Sequence, residues 1–339
     1  MKIGSTIDRA VFRAWAVTLG VMLAVAALPV SSQDVYPSKR FELIVPFAAG
    51  SATDGVARIL ADGLSRQVGQ PVSVVNRPGA NGQVAVRALH VAPRDGYTMA
   101  ILANGIVIEQ VLKKGGDFDV RRDLVPVARA TQAPYGLFAS NSLPGNSLRE
   151  VIDYARKNPG KINYASAAVG SSAHLTTERL MLATGMNLTH ITYPAGTGAI
   201  NVALMQGDVG LFINEMGSMR PLVNDKKIRL LATLDNQRSP IYPDSPSLAD
   251  LDIPELKDFS ASFFFGLFVA PGTDPARVER LAADINRVIS EPATRGRLVA
   301  LGYNPALLGG TTPAQFSKYM SDELARTEAV VQGAKLSIN

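Results

Sequence analysis

The chain of 339 residues contains no cysteine, one tryptophan and three histidines. Without cysteine there is no disulfide framework, no thiolate-based structural zinc site, and no residue to carry a lipid once a leader is removed. A hydrophobic core must hold the fold, and a chain of this length suffices for two domains that each bury one. The glycine patterns of nucleotide binding are missing too: neither GxGxxG nor a phosphate loop ending in Lys-Ser or Lys-Thr occurs. The nucleophile elbow GxSxG is absent, because His174 stands where its second glycine would follow Gly170 and Ser172. Charge of one sign is not concentrated either. The formal net charge is +5, with 34 basic and 29 acidic residues interspersed, which argues against a nucleic-acid partner.

What is present begins with a leader. Lys2, Arg9 and Arg13 precede an apolar run of 15 residues, Ala14–Leu28, and small residues follow at Val30, Ser31 and Ser32. This is the pattern of a secretory signal peptide occupying residues 1–32 and cut after Ser32. The run is short for a membrane anchor, and no paired arginines precede it, so general secretion is expected. No later apolar run is long enough to cross a membrane.

The stretch Phe41–Arg58 organises the rest. It reads as a buried strand, Phe41–Phe47, a small-residue turn, Ala48–Thr53, and a helix beginning near Asp54 with Val56, Leu60 and Leu64 on one face. A turn between a strand's carboxyl end and a helix's amino end suits a small anion held by backbone amides. An ordinary strand-to-helix connection, with Gly50 chosen for backbone freedom, fits the same residues. Strands at 71–76 and 97–102 and a helix at 83–92 continue an alternation that predicts a parallel sheet. The loop Gly79–Gly82 would emerge beside the first turn. Arg77 is either an anion partner or a solvated surface residue.

Val125–Ser140 is extended for longer than one strand needs and reads as a crossing into a second domain. There Ser147 to Glu150 is a capping box opening a helix to Lys157. Two strand–turn–helix cycles follow, 162–183 and 188–206, with further strands at 208–213 and 228–234. Phe259–Ala270 is the return crossing, and helices at 275–290, 295–301 and 313–332 should pack back on the first domain. Two crossings imply a hinge, with the turns of each domain facing a common cleft.

Pro46–Arg58 resembles the opening signature of the Bug-type solute-binding proteins, the extracytoplasmic receptors of tripartite tricarboxylate transporters. Asn76–Ala80, Pro93–Thr98, Tyr164–Ser166, Gly170–Leu175, Arg238–Pro240, Gly266–Pro271 and Gly309–Pro313 continue the likeness through essentially the whole mature chain. The resemblance implies an α/β, two-domain Venus-flytrap fold in which each domain is a mostly parallel sheet flanked by helices. The expected division is 33–130 with 266–339 as one domain and 131–265 as the other. It further implies a periplasmic receptor, a small carboxylate as ligand, permease subunits as partners, a monomer, no cofactor and no catalysis. Carried over by position, Phe47, Ala48, Ala49, Gly50, Ser51, Thr53 and Asp54 form the ligand side of the first domain. Gly170, Ser171, Ser172, His174, Gly196, Thr197 and Asn214 form that of the second. Asp54 is equally readable as a helix-start residue, and Phe47 as core.

Departures from the family's pattern fall at Gly50-Ser51, Pro194, Gly210, Asn214 and Phe264-Phe265, and they bear on the ligand rather than the fold. The pattern's acidic positions read here as Gly210 and Asn214, and its basic position as Pro194. Phe263–Phe265 favours a ligand with an aromatic or extended apolar portion. Other readings of the same residues are a metal pair at His174 and Glu178, a secreted hydrolase using Ser171 or Ser172 with His174, and a ligand sensor without transport.

Overall fold

The computed structural model describes residues 36–79, 82–113, 118–303 and 310–334. The expected leader, Ala80 and Asn81 of the second loop, and Gly309 of the late motif lie outside the described residues. Residues 39–339 form one compact unit, which holds everything described below.

The first half alternates strand and helix: β1 (Phe41–Val45), α1 (Ala52–Val68), β2 (Val72–Asn76), α2 (Gln83–Val91), β3 (Thr98–Ala103), α3 (Gly105–Leu112) and the single turn α4 (Val120–Asp123). β4 (Val125–Ser140) then runs for 16 residues. After it come α5 (Leu148–Lys157), β5 (Asn163–Ser166), α6 (Ser172–Thr184), β6 (Thr189–Thr192), α7 (Thr197–Gln206), β7 (Leu211–Glu215), α8 (Met216–Asn224) and β8 (Ile228–Thr233). β9 (Ser262–Val269) leads to α9 (Pro275–Ser290), α10 (Pro292–Ala300) and α11 (Pro313–Gly333).

β4 is shared by two sheets. Its first part, Val125–Pro134, pairs with β9, and its second, Tyr135–Ser140, pairs with β7 and β8. Pro134, which has no N–H to donate, sits where the strand leaves one partner for the others. The first sheet runs β2-β1-β3-β9-β4, with β1, β2 and β3 parallel and β9 antiparallel to both neighbours. In the second, β5, β6 and β7 are parallel, and β4 lies antiparallel between β7 and β8. Each sheet thus has one reversed strand among the described residues, so the mostly parallel reading holds. The Val125–Ser140 crossing is the observed β4. The return chain joins the first sheet from Ser262, which puts the whole aromatic run 263–265 on that side.

The two lobes have separate cores. Phe264, Phe268 and Phe316 are fully buried in the first, with Phe264 edge-on to Phe316 and Tyr319 at 5.8 and 5.3 Å. Phe138, Phe212, Ile200, Leu204 and Met219 fill the second. At roughly 1.5–3 kcal/mol for each buried large apolar side chain, these clusters replace the missing disulfides as the fold's support.

Three helices were not visible in the sequence. α3 is Gly-Ile-Val-Ile-Glu-Gln-Val-Leu, whose β-branched run has strand propensity that packing against the first core overrides. α8 carries Pro221 in its interior and reads as broken. α4 is too short for periodicity to show. β7 ends two residues beyond the expected strand, which changes the site.

Candidate functional site

In each lobe the same local construction presents a helix start. At the β1–α1 turn Gly50 has φ +84°, and Ser51 caps α1 by accepting the Asp54 N–H. At the β5–α6 turn Gly170 has φ +77°, and Ser171 caps α6 by accepting the His174 N–H. A positive φ costs little only at glycine, which fixes that residue type in both loops. The Ser51 and Ser171 carbonyls take the amides of Gly55 and Leu175. The first-turn amides of Ala52, Thr53, Ser172 and Ala173 are thereby left for a ligand.

Between the sheets lies a cavity of about 240 Å³ lined by Phe47, Thr53, Ala103, Asn104, Gly105, Ile108, Tyr135, Gly170, Ser171, Ser172, Glu215, Phe263 and Phe265. The starts of α1, α3 and α6 reach it, and Glu215 stands at the start of α8. These lie at the carboxyl ends of β1, β3, β5 and β7, where ligands of open α/β sheets are held. An adjoining cavity of about 370 Å³ is lined by Gly50, Ser51, Ala52, Gly55, Glu215, Gly217, Ser218, Arg220, Leu301, Gly302 and Tyr303, among others.

Of the residues carried over from the resemblance, Phe47, Thr53, Gly170, Ser171 and Ser172 line the first cavity, and Gly50 and Ser51 line the second. Phe47 is 40% exposed, so it is not core. Ala48 and Ala49 are exposed in the turn without lining either cavity. Gly196 and Thr197 start α7 away from both cavities, and Asn214 turns its amide toward Ser218 Oγ, 3.1 Å away.

Asp54 and His174 sit beneath the loops. The Asp54 carboxylate accepts from the Gly50 N–H and Arg58 Nε at 2.9 Å, from Asn76 Nδ2 at 2.9 Å and from Arg58 Nη2 at 3.1 Å. The Arg58 guanidinium, working against burial, holds its pKa at about 2. Asn76 also donates to the Phe47 carbonyl at 2.9 Å, tying the second loop to the first. Arg77 is exposed and lines neither cavity.

His174 is buried, with Nδ1 accepting the Gly170 N–H at 2.9 Å. Its other nitrogen faces Glu178 Oε1 at 3.6 Å, and Tyr164 Oη donates to that same oxygen at 2.6 Å. The His174 ring stacks on His190 at 4.1 Å between centroids. Burial lowers the pKa of His174. It lowers that of His190 to about 4, with the neighbouring His174 adding to the effect. Both imidazoles are therefore neutral at physiological pH. His174 thus takes part in a hydrogen-bonding cluster, the alternative to a metal pair with Glu178, and no group of three or more His, Cys, Asp or Glu side chains that could hold a metal ion occurs among the described residues.

Glu215 was missed. Burial raises its pKa to about 7. The sequence reading ended the strand at Ile213 and took the acidic positions nearby as lost. The strand runs on and delivers an acid one place after Asn214. Asn104 and Gly105 were missed as well, although the rule of carboxyl strand ends applied to β3 points to them. Asn104 itself is a brace: its Oδ1 accepts the Phe264 N–H at 2.8 Å, and Nδ2 donates to the Ser262 carbonyl and Glu323 at 3.3 and 3.2 Å. Along β9, Phe263 and Phe265 face the cavity while Phe264 points into the core, as strand alternation requires.

No helix among the described residues is long and apolar enough to cross a membrane. Protein BugT of Bordetella pertussis is 35% identical over 324 residues, covering 94% of this chain and 97% of its own. A Rhodopseudomonas palustris structure solved with adipate superposes with TM-score 0.75 at 29% identity, over 89% of this chain and 99% of that one. The same organism's MatC, solved with bound malate, gives 0.70 at 27%, over 87% and 100%. The family model described as tripartite tricarboxylate transporter family receptor matches residues 56–336, and the chain belongs to that family.

Proposed function

We propose that the chain is a periplasmic receptor that captures a small carboxylate between its two lobes and delivers it to the membrane permease of a tripartite tricarboxylate transporter. The observation that carries this reading is the convergence of helix starts on one cavity in which Thr53, Ser171 and Ser172 add hydroxyls. A helix amino terminus contributes about 0.3–1 kcal/mol to a bound anion, and up to about 2 when partly buried. Micromolar capture needs about 8 kcal/mol, so the hydroxyls and apolar contact with Phe47, Ile108, Phe263 and Phe265 supply the rest. Solved relatives of this fold hold adipate and malate, which supports a carboxylate as the ligand.

The loops carrying Phe47, Ala48, Ala49, Gly50, Ser51 and Thr53 serve as one jaw, and Gly170, Ser171 and Ser172 as the other. Asp54 and His174 position these loops from beneath. The hinge lies in β4 near Pro134 and before β9 near Ala261, close to the expected boundaries at 130/131 and 265/266. The receptor binds without transforming its ligand. Deleting the chain from cells that retain the permease should abolish uptake of the bound carboxylate. Unchanged uptake would contradict the transport role.

A further inference from the structure

The turn that carries Gly170 is pinned at two points by histidines. His174 Nδ1 accepts the Gly170 N–H at 2.9 Å, so that nitrogen bears no proton. The ring's single proton is therefore on Nε2, which faces Glu178 at 3.6 Å, and Tyr164 Oη holds that carboxylate by donating to it at 2.6 Å. The second pin runs through His190. Ser166 Oγ gives its proton to the Ala168 carbonyl at 2.8 Å, so it accepts from His190 Nε2 at 2.7 Å. The three rings form one stack, with His190 4.1 Å from His174 and 4.8 Å from Tyr164.

A proton added to His174 has one place to go, Nδ1. It turns the acceptor of the Gly170 amide into a second donor aimed at it, and the bond that holds the turn becomes a repulsive contact. The first lobe lacks this weakness, because Asp54 holds Gly50 while bound to Arg58 and Asn76, with its pKa at about 2. Around His174 the ionisable groups are Glu178 on its own helix, His190 on β6 and Tyr164 on β5, whose ionisation is opposed by burial and then by Glu178. The other elements packed on α6 direct their charges elsewhere. α11 brings Arg326 and Glu323 to bear on Arg179, Glu215 at the end of β7 acts on Tyr135, and Glu255 in the turn Pro254–Leu256 is paired with Arg156 at 2.8 Å. His190 is held at about 4 by burial and then by His174, whereas His174 is lowered less and by burial alone, so His174 charges first.

We infer that the second jaw of the receptor is proton-gated: charging His174 at Nδ1 breaks its bond to Gly170, loosens the turn above the start of α6 and lets the captured carboxylate go in acid. The inference rests on the receptor reading and adds a regulation of that same site. Gly170, Ser171 and Ser172 line the cavity, whereas His174 lies beneath them, so the proton acts through the turn. Glu178, 3.6 Å from the ring, offsets the attraction of the new charge for a carboxylate in the cleft. Linkage fixes the sign. A ligand that needs the turn in place binds the form with neutral His174, so affinity is full above 6.5 and falls as pH drops through the lowered pKa of His174. Capture in that acid range releases a proton.

The test is nuclear magnetic resonance of the isotope-labelled chain, residues 33–339, following the imidazole nitrogens and the Gly170 and Gly50 amides from about pH 7.5 to about pH 4.5. The Gly170 amide should shift with the midpoint of His174. Its protection from hydrogen exchange, corrected for the intrinsic rate, should fall about tenfold or more, while that of Gly50 holds. Gly170 against Gly50 within the wild type decides the matter without any variant. His174→Asn, whose side-chain oxygen reaches the place of Nδ1 and does not titrate, should level the Gly170 response. Calorimetric titration with mono-, di- and tricarboxylates, malate and adipate among them, reads the consequence. The acid that binds best should lose about tenfold more affinity over this range in wild type than in His174→Asn, a comparison in which the ligand's own ionisation cancels. A Gly170 amide that ignores the His174 midpoint, or an affinity loss equal in the two proteins, overturns the gate and leaves the receptor reading standing. Binding of none of the acids at neutral pH overturns both.

Discussion

Asp54 and His174 occupy equivalent places in the two lobes: each accepts, at 2.9 Å, the backbone N–H of the glycine four residues before it, Gly50 and Gly170 respectively. Each also donates its own amide to the serine that caps its helix. One lobe uses a carboxylate and the other a neutral imidazole for the same task of holding a glycine turn open above a helix start. The carboxylate is balanced by Arg58, and the imidazole is stacked on His190.

Removing either acceptor leaves a loop amide without its partner. Asp54→Ala and His174→Ala should each destabilise the protein by about 1–3 kcal/mol in chemical denaturation. Each should also weaken carboxylate capture, although neither side chain lines the cavity. Wild-type affinity in both variants would show that the loops hold their shape without these braces.

Stability should depend on pH through groups of opposite sign. His174 and His190 have lowered pKa values, so the unfolded chain binds more protons than the folded one as pH falls below about 6.5. Their contribution is full above that value and declines as pH falls below it, for His190 down to about 4. Glu215 is raised from 4.5 to about 7, so its contribution is full below 4.5 and is lost as pH rises through 7. Glu215→Gln should therefore gain on the order of 1–3 kcal/mol over wild type as pH rises across that window. Urea unfolding of both proteins at acidic and alkaline pH measures the difference, and a constant gap between them would contradict the raised pKa. Asp54 acts at lower pH: its stabilisation is present above 3.8 and is lost as pH falls toward about 2.

The lobes also meet backbone to backbone. A methyl group on Gly217, at the start of α8, would lie 2.6 Å from the Leu301 carbonyl oxygen. One on Gly302, whose φ is +97°, would lie 3.2 Å from the Gly217 Cα. Gly217→Val should keep the two sheets from meeting at this edge while leaving both cores intact. The expected outcome is a loss of at least about tenfold in ligand affinity, corresponding to about 1.4 kcal/mol, with little change in melting temperature of the free protein. Undiminished affinity would show that this edge stays open when ligand is held.

Much of this fold was legible in the sequence because its signals are local. Ser147 announces a helix cap, the small-residue turn Ala48–Thr53 announces the helix start after it, and the long extended run 125–140 announces the crossing between two sheets. The loop residues Phe47, Thr53, Gly170, Ser171 and Ser172, which the family resemblance and not local pattern had indicated, line one cavity. What could not be read depends on partners distant in sequence. The helical state of Gly105–Leu112 is imposed by the core beneath it, against its own strand propensity. The roles of Asp54 and His174 appear only once Asn76, Arg58 and His190 are placed around them. Glu215 was hidden because a strand ending at Ile213 stops two residues short, so that the carboxyl end of β7, where ligands are held, is not placed at Glu215.

The most direct measurement is the thermal unfolding of residues 33–339 against mono-, di- and tricarboxylates, aromatic acids and amino acids, with each compound quantified afterwards. A ligand at about 100 times its dissociation constant should stabilise the folded protein by about 2.7 kcal/mol, saturably, and be recovered unchanged. Carboxylate capture by this cleft predicts at least one such compound. No stabilisation by any acid, or consumption of one, would contradict it.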